Sequence, residues 1–143
     1  MKDVCLFALL TVARGTKILT MTWVKIDFNN KITIVSNNIA KNETARPLLL
    51  NDEAIALLKS RRLINKNCVF VNSKNNHINN IDRRAFNRAT EKCNIKDFHF
   101  HDLRHTWASC HLQSRTPLFT LKELGGWRLE NAGNGEKIRL FEC

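Results

Sequence analysis

Apolar residues recur at intervals of three and four along much of the chain, the spacing of one face of an α-helix. Residues 3–14 are mostly apolar and predict a helix that ends near Arg14 and Gly15. Asn51 is a favourable cap for another helix, and the pair Thr116–Pro117 favours the start of the last one. The predicted helices cover 3–14, a short piece around 18–23, 51–61, 82–93, 101–112 and 116–124.

Two runs rich in branched apolar residues, 31–35 and 46–50, predict the strands of an antiparallel hairpin with a polar tip between them. Pro47 favours an edge position or a strand start, because proline cannot donate a hydrogen bond to a sheet ladder. Residues 68–71 predict a short buried strand or extended segment, and the asparagine-rich residues 72–80 predict a loop. The expected fold class is therefore α+β, mainly α, with a small antiparallel sheet.

The regular pattern ends near Trp127. Residues 131–135, with the sequence NAGNG, favour no regular element. The chain contains no internal repeat and no sign of a second domain. We therefore expect one domain over residues 1–127, followed by an irregular tail over residues 128–143.

The composition points to a polyanionic partner. The 143 residues include 23 Lys and Arg against 13 Asp and Glu, a formal net charge of +10, and nucleic acid is the first candidate partner for such a chain. The five cysteines are widely spaced without a C-x-x-C pair, which argues against a disulfide framework and for a reducing cytoplasm. No apolar run approaches the roughly 20 residues of a membrane span, and we interpret residues 4–10 as a core helix rather than a signal peptide.

The segment 101–109, HDLRHTWAS, carries the most distinctive chemistry. Residues three and four apart are neighbours on a helix, so we expect His101, Arg104 and His105 to project from roughly one side. A guanidinium flanked by imidazoles is suited to binding a phosphate and moving a proton beside it. The alternative is a helix with polar residues outward and with apolar residues in the core, namely Leu103, Trp107 and Leu112.

Four separate segments, in order, resemble the catalytic domain of the tyrosine recombinases, the phage integrase family. Residues 7–14 (FALLTVAR) resemble the family's helix ending in a first catalytic arginine, and residues 40–51 resemble the hairpin that presents a catalytic lysine. Residues 101–109 resemble the central His-x-x-Arg box, and residues 124–127 (LGGW) resemble the element before the nucleophile. The resemblance covers about residues 5–127.

The resemblance implies a reaction and a role for each matching residue. These enzymes attack a DNA phosphodiester with a tyrosine and form a covalent 3′-phosphotyrosine. Arg14 and Arg104 would clamp the non-bridging oxygens, and Lys41 would protonate the leaving 5′-oxygen. His101 would act as general acid and base, and Trp127 would pack beneath the phosphate. Neither a metal nor another cofactor is needed, the partner is double-stranded DNA, and the enzymes self-associate on it.

The sequence departs from the family pattern at decisive positions. Val12 stands where the family usually has glycine, and Lys17 stands where an acidic or amide residue is commoner. The nucleophile is expected about nine residues after Trp127, but position 136 is Glu136 and the chain contains no tyrosine. Residues 128–143 also lack serine and threonine. We therefore expect a recombinase domain that does not cleave DNA.

A frameshift just after Trp127 would explain the missing tyrosine. Codons permitted for residues 131–143, read one base later, can encode MLEMVKKYAYLS, which resembles the family's tyrosine helix. This hypothesis describes a truncated prophage remnant of bacterial or phage origin, located in the cytoplasm. Losing the last helices would expose apolar surface around Leu118, Leu121 and Trp127, so we expect a marginally stable fold.

Two other functions stay open. The chain can be a residual DNA-binding module without catalysis. It begins almost at the first catalytic-domain helix, so the N-terminal clamp on DNA is expected to be absent and binding to be weak and strongly salt-dependent. The third alternative is a metal nuclease that uses His99, His101 and His105, although carboxylates usual in such sites are lacking nearby.

Overall fold

The computed structural model describes residues 1–35, 46–125, 127–129 and 140–142 of the chain. Its helices are α1 (Lys2–Leu10), α2 (Gly15–Leu19), α3 (Asp52–Arg61), α4 (Arg83–Lys92), α5 (Asp102–Gln113) and α6 (Leu118–Gly125), with a 3₁₀ turn at Trp23–Lys25. Its strands are β1 (Ile26–Asp27), β2 (Ile32–Val35), β3 (Arg46–Leu49), β4 (Trp127–Leu129) and β5 (Leu140–Glu142). The expected class, mainly α with a small antiparallel sheet, is confirmed.

The sheet follows the sequence pattern closely. Strands β1, β2 and β3 lie in that order, and β2 and β3 are antiparallel with Ile32 opposite Leu49. Pro47 lies on β3, an edge strand, as its missing N–H predicts. The short β1 was not predicted, because two residues are too few to show an alternating pattern.

Capping residues determine where α3 and α4 begin. The side chain of Asn51 accepts a hydrogen bond from the N–H of Ala54 at 2.9 Å, and that of Asp82 accepts one from Ala85 at 2.9 Å. Such caps satisfy N–H groups that the first helical turn leaves unpaired. Both helices agree with their predicted positions to within one or two residues.

Helix α1 lies in the middle of the hydrophobic core and contacts α2, α3 and α5. Its buried residues Val4 and Phe7 pack with Phe70, whose ring meets the Phe7 ring edge-on at a centroid distance of 5.5 Å. Residues 68–71, predicted as a strand or extended segment, form no strand: Cys68 and Val71 make isolated bridges, to Thr22 and His77, and the two residues between them are bends. The core therefore joins the N-terminal helix to a segment some sixty residues further along.

The predicted end of the first helix was wrong by four residues. Helix α1 ends at Leu10, and Thr11 is extended, with φ of −134° and ψ of 165°. The Thr11 hydroxyl donates to the carbonyl of Phe7 at 2.7 Å, and a β-branched residue that bonds back in this way favours the end of a helix. Arg14 therefore lies after the helix, in a short connection to α2.

The expectation of a wholly irregular tail was also wrong within the described residues. Strands β4 and β5 pair antiparallel, with Trp127 opposite Glu142 and Leu129 opposite Leu140. Three-residue strands joined across a polar, glycine-containing stretch give too short a pattern to be recognised in the sequence.

The apolar residues of α6 differ in exposure. Leu121 was expected to lie on exposed apolar surface, but it is buried, with 1% of its surface accessible. Phe119, on the opposite side of the same helix, is 69% exposed. Within the described residues, no helix is both long enough and apolar enough to cross a bilayer.

Candidate active site

Arg104 is the central side chain of the site. It lies on α5, and only 6% of its surface is accessible. Its Nη1 donates to the carbonyl oxygen of Val12 at 3.0 Å, and its Nη2 donates to that of Gly125 at 2.5 Å. Because the two carbonyls belong to different parts of the chain, one guanidinium joins the segment after α1 to the end of α6.

The early end of α1 makes the Val12 carbonyl available. Thr11 leaves the helix, so the backbone of residues 11–14 runs between α1 and α2 rather than within a helix. Val12 and Ala108 are buried together, with Leu48 and Trp107 packed against them. The connection therefore rests directly on the face of α5 that carries Arg104.

Arg14 lies two residues after Val12 and caps α2. Its carbonyl oxygen accepts hydrogen bonds from the N–H groups of Lys17 and Ile18, at 2.9 and 3.1 Å, which fixes its backbone. The Arg14 residue is half-buried, whereas Arg104 is buried. The structure thus brings the two arginines singled out in the sequence to one connection.

The two histidines of the box do not share the burial of Arg104. His101 and His105 are exposed, and their rings lie 5.2 Å apart, centroid to centroid, with 77° between their planes. Each helical residue turns the side chain by about 100°, so Arg104 and His105 lie about 60° and 40° to opposite sides of His101. The expectation that all three project together was therefore only partly right. The helix turns Arg104 toward the core and His105 toward solvent.

The apolar alternative for this helix also holds in part. Leu103 is buried in the core, as this alternative predicts. Trp107 is half-buried, and its ring lies 4.1 Å from the ring of His111. Leu112 is 41% exposed, so its assignment to the core was wrong.

An aromatic contact positions His101 beside the Arg14 connection. A Cβ atom placed on Gly15 would lie 2.9 Å from Cε1 of Phe100, so the Phe100 ring needs a residue without a side chain there. Phe100 also packs on Phe86 of α4, with ring centroids 5.7 Å apart. Gly15 and Phe100 are the immediate neighbours of Arg14 and His101, and the sequence interpretation missed both. The only signal was the aromatic pair at 98 and 100 before the box.

The turn before α5 is held by a carboxylate. Oδ2 of Asp102 accepts a hydrogen bond from the backbone N–H of His99 at 2.6 Å, and the His99 ring lies 3.4 Å from it. In the part of the chain that the structure describes, no three histidine, cysteine or acidic side chains form a group able to hold a metal. His99, His101 and His105 therefore do not make the three-ligand centre that the nuclease alternative requires.

Two of the predicted site residues are not tested. Lys41 lies outside the described residues. The backbone of Trp127 forms part of β4, two residues after the Gly125 carbonyl that Arg104 binds, while its side chain lies outside the described part. Their roles stay predictions.

Solved structures with the same fold include several recombinases. The Tn1549 transposon integrase, solved in complex with circular intermediate DNA, aligns at a TM-score of 0.74 and 20% identity over 87% of this chain and 48% of that one. The XerA recombinase aligns at 0.68 and 18% identity over 87% of this chain and 51% of that one. A lambda integrase dimer bound to a core site aligns at a TM-score of 0.66 and 18% identity, over 96% of this chain and 53% of that one. These likenesses establish the recombinase fold.

The family follows from the sequence comparison. The family model described as "Phage integrase family" matches residues 1–132, so the chain belongs to that family. The integrase of Salmonella phage P22 is 32% identical over 139 residues, covering 89% of this chain and 36% of that protein. The chain thus spans about a third of this curated relative and about half of the solved chains.

Proposed function

We propose that this chain is the phosphate-binding catalytic unit of a site-specific DNA recombinase. In the proposed site Arg14 and Arg104 bind the non-bridging oxygens of a DNA phosphate, and His101 moves a proton beside it. Lys41 is assigned to the leaving 5′-oxygen, and Trp127 to packing beneath the phosphate. The observation that carries the proposal is the position of the Arg104 guanidinium, fixed between the carbonyls of Val12 and Gly125.

The position of the Arg104 guanidinium matters because the group is held in place before any substrate binds. A cation held in place before the substrate arrives stabilises developing negative charge without a further cost of reorganisation. Arginine stays charged at every physiological pH, and the planar fork of its N–H donors matches the oxygens of a phosphate. The same two bonds tie residues 11–14 and the end of α6 to α5, and Arg14 and Trp127 lie within or next to these two segments.

Charge on the surface supports double-stranded DNA as the partner. Arg84, Arg88 and Lys92 follow one another at intervals of four on α4, and all three are exposed. Residues at this spacing form one stripe along a helix. Through the packing of Phe86 on Phe100, the basic helix is tied to the segment that leads into His101. The stripe supports contact with DNA phosphates beside the site, and the lambda integrase dimer on its core site supports self-association on DNA.

The catalytic step itself is the part that this sequence does not provide. The family reaction needs a tyrosine, and the 143 residues contain none. The family match ends at residue 132, before position 136 where the tyrosine is expected. We therefore keep the proposal of a catalytic unit over residues 1–127 and a frameshifted tail. The coding DNA tests it, because an intact reading frame without a tyrosine codon in the shifted frame would disprove the frameshift.

A second function, DNA binding without cleavage, is favoured by the same absence. We predict that the chain shifts a recombination-site duplex in a gel but forms no covalent adduct with a nicked suicide substrate. Each phosphate contact contributes about 0.9 to the slope of log affinity against log salt. Binding that stays equally tight between low and moderate salt, or a denaturant-stable adduct, would contradict this prediction.

Substitutions in the basic stripe of α4 test which charges determine DNA binding. Arg84→Gln with Arg88→Gln removes two charges from α4 and should weaken binding and lower the salt slope by about 2. The matched control, Lys66→Gln with Lys74→Gln, removes two exposed charges outside α4 and should change affinity less. Equal effects of the two pairs would show that net charge, not the stripe, determines binding.

The location follows from the same proposal. We propose that the protein acts in the cytoplasm of a bacterium, where its DNA substrate lies. The described cysteines, Cys5, Cys68, Cys93 and Cys110, are free thiols, which supports a reducing compartment.

A further inference from the structure

The imidazoles of His101 and His105 form a pair of metal-ligating groups at the surface of α5. His101 is the N-cap residue of α5, with helical backbone angles, and His105 lies one turn further along; both residues are exposed, and their ring centroids lie 5.2 Å apart. The phosphate site described above uses only one of them. The second ring has no role there.

The separation of the two rings matches that of imidazoles sharing one metal ion. Imidazole nitrogen lies about 2.0–2.1 Å from zinc, so two rings on a tetrahedral ion have centroids about 5 Å apart. Histidines at positions i and i+4 of a helix are also the spacing by which helical motifs hold zinc. The observed 5.2 Å therefore requires ring rotation but no movement of the helix.

The surroundings decide which metals fit. Imidazole suits Zn²⁺, Cu²⁺ and Ni²⁺, whereas Mg²⁺ and Ca²⁺ prefer oxygen ligands. Oδ2 of Asp102 is engaged by the His99 backbone, and no group of three ligands exists within the described residues. A site with two protein ligands differs from a catalytic zinc centre, which has three. Water would complete the coordination.

We propose that His101 and His105 form a two-imidazole clamp for a divalent ion of the late first-row transition metals on the solvent side of α5. The clamp is independent of the DNA-binding proposal, since it needs only the helix and the two rings. It shares His101 with the proposed phosphate site, so an ion bound here lies where that histidine would move a proton.

Calorimetric titration of the whole chain with Ni²⁺, in a buffer that does not bind metals, tests the clamp. We expect one ion per chain. Because the second imidazole binds as an intramolecular ligand, His105→Ala should weaken binding on the order of 100-fold. His101→Ala should weaken it equally, and the double substitution should weaken it little further, since one imidazole alone gives no chelate.

Two matched controls separate the clamp from other surface ligands. His77→Ala removes an exposed histidine outside α5, and Cys110→Ser removes an exposed thiol on α5 itself. Both should leave Ni²⁺ affinity unchanged, and circular dichroism should show that all variants keep the helical content of the parent. Unchanged binding by His105→Ala, or loss of binding by Cys110→Ser, would overturn the assignment.

A displaced pair tests the geometry directly. Ser109 is exposed and lies four residues after His105, so His101→Ala with Ser109→His moves the clamp by one turn. We expect this variant to recover most of the Ni²⁺ affinity lost in His101→Ala. Failure to recover it, while the parent chain binds, would show that helical spacing does not hold the ion.

Discussion

Two largely buried arginines join different elements of this molecule, and the acceptors that they bind differ in charge. Arg61 on α3 pairs with the carboxylate of Asp3 on α1, donates from Nε to the carbonyl of Val69 at 3.0 Å and lies over the Phe70 ring. Arg104 donates to two backbone carbonyls, those of Val12 and Gly125. The first arginine binds a negative group of the fold itself. The two carbonyl oxygens that accept from the second arginine are neutral.

The difference separates a structural role from a binding role. A carboxylate partner compensates the charge of Arg61, and removing one member of such a pair leaves the other unsatisfied. The two carbonyl oxygens orient the Arg104 guanidinium and carry no net charge, so these two bonds preserve its attraction for an anion. The comparison predicts that both arginines matter for folding and that only Arg104 matters for DNA.

The largest expected effect comes from removing each arginine. Arg104→Ala leaves two carbonyls without their charged donor, and we expect a loss of unfolding free energy on the order of 3 kcal/mol. Arg61→Ala should cost about 2 kcal/mol, because the released Asp3 is partly exposed to water. Urea denaturation measures both costs.

DNA affinity, corrected for the folded fraction, then separates the two roles. It should fall for Arg104→Lys, because a lysine cannot hold both carbonyls and present a planar fork. Arg61→Lys should leave it unchanged. Equal losses of DNA affinity in the two lysine variants would remove the distinction between the arginines.

A smaller effect is expected at the contact that holds the Arg14 connection against α5. Gly15→Ala places a Cβ 2.9 Å from the Phe100 ring, and overpacking of this kind costs about 1–3 kcal/mol. Phe100→Leu should relieve the clash, so the double variant should be more stable than the sum of the two single changes predicts. Thermal unfolding of the four proteins gives the coupling. Simple additivity would mean that the contact does not position the connection.

The smallest effect is expected at an exposed ion pair, which is a reference for the partly buried Arg61–Asp3 pair. Nζ of Lys31 lies 2.6 Å from Oδ1 of Asp52, and this hydrogen bond and charge lower the pKa of the Asp52 carboxyl. The folded state therefore favours ionised Asp52. The associated stability is present above the ordinary aspartate pKa and is lost as the pH falls through the lowered value.

The variant Asp52→Asn tests this predicted dependence of stability on pH. Its melting temperature should lie slightly below that of the parent at neutral pH, and the difference should vanish in acid and shrink at high salt. Asp3→Asn should have a larger effect at neutral pH, since the Arg61 side chain is only 11% exposed. A larger effect at position 52 than at position 3 would contradict the comparison.

The local sequence predicted the elements well where capping residues and periodicity agree. Asn51 starts α3 as expected, the apolar spacing over 82–93 placed α4, and the β-branched run 31–35 forms β2. The prediction failed at Thr11, where a hydroxyl bonding back to Phe7 ended a helix whose apolar pattern continues to Ala13. Apolar spacing indicates which residues are buried, but it does not distinguish a helix from a buried connection.

By itself, the sequence determined the family and predicted the site residues, because the box at residues 101–109 and its order relative to Arg14 are properties of the chain. It also determined that the chain has no tyrosine. Only the tertiary structure decided that Arg104 faces inward while His101 and His105 face solvent, because burial depends on which elements cover each side of α5. The carbonyls of Val12 and Gly125 come from parts of the chain more than a hundred residues apart. Their meeting at one guanidinium is a result of packing that no local pattern contains.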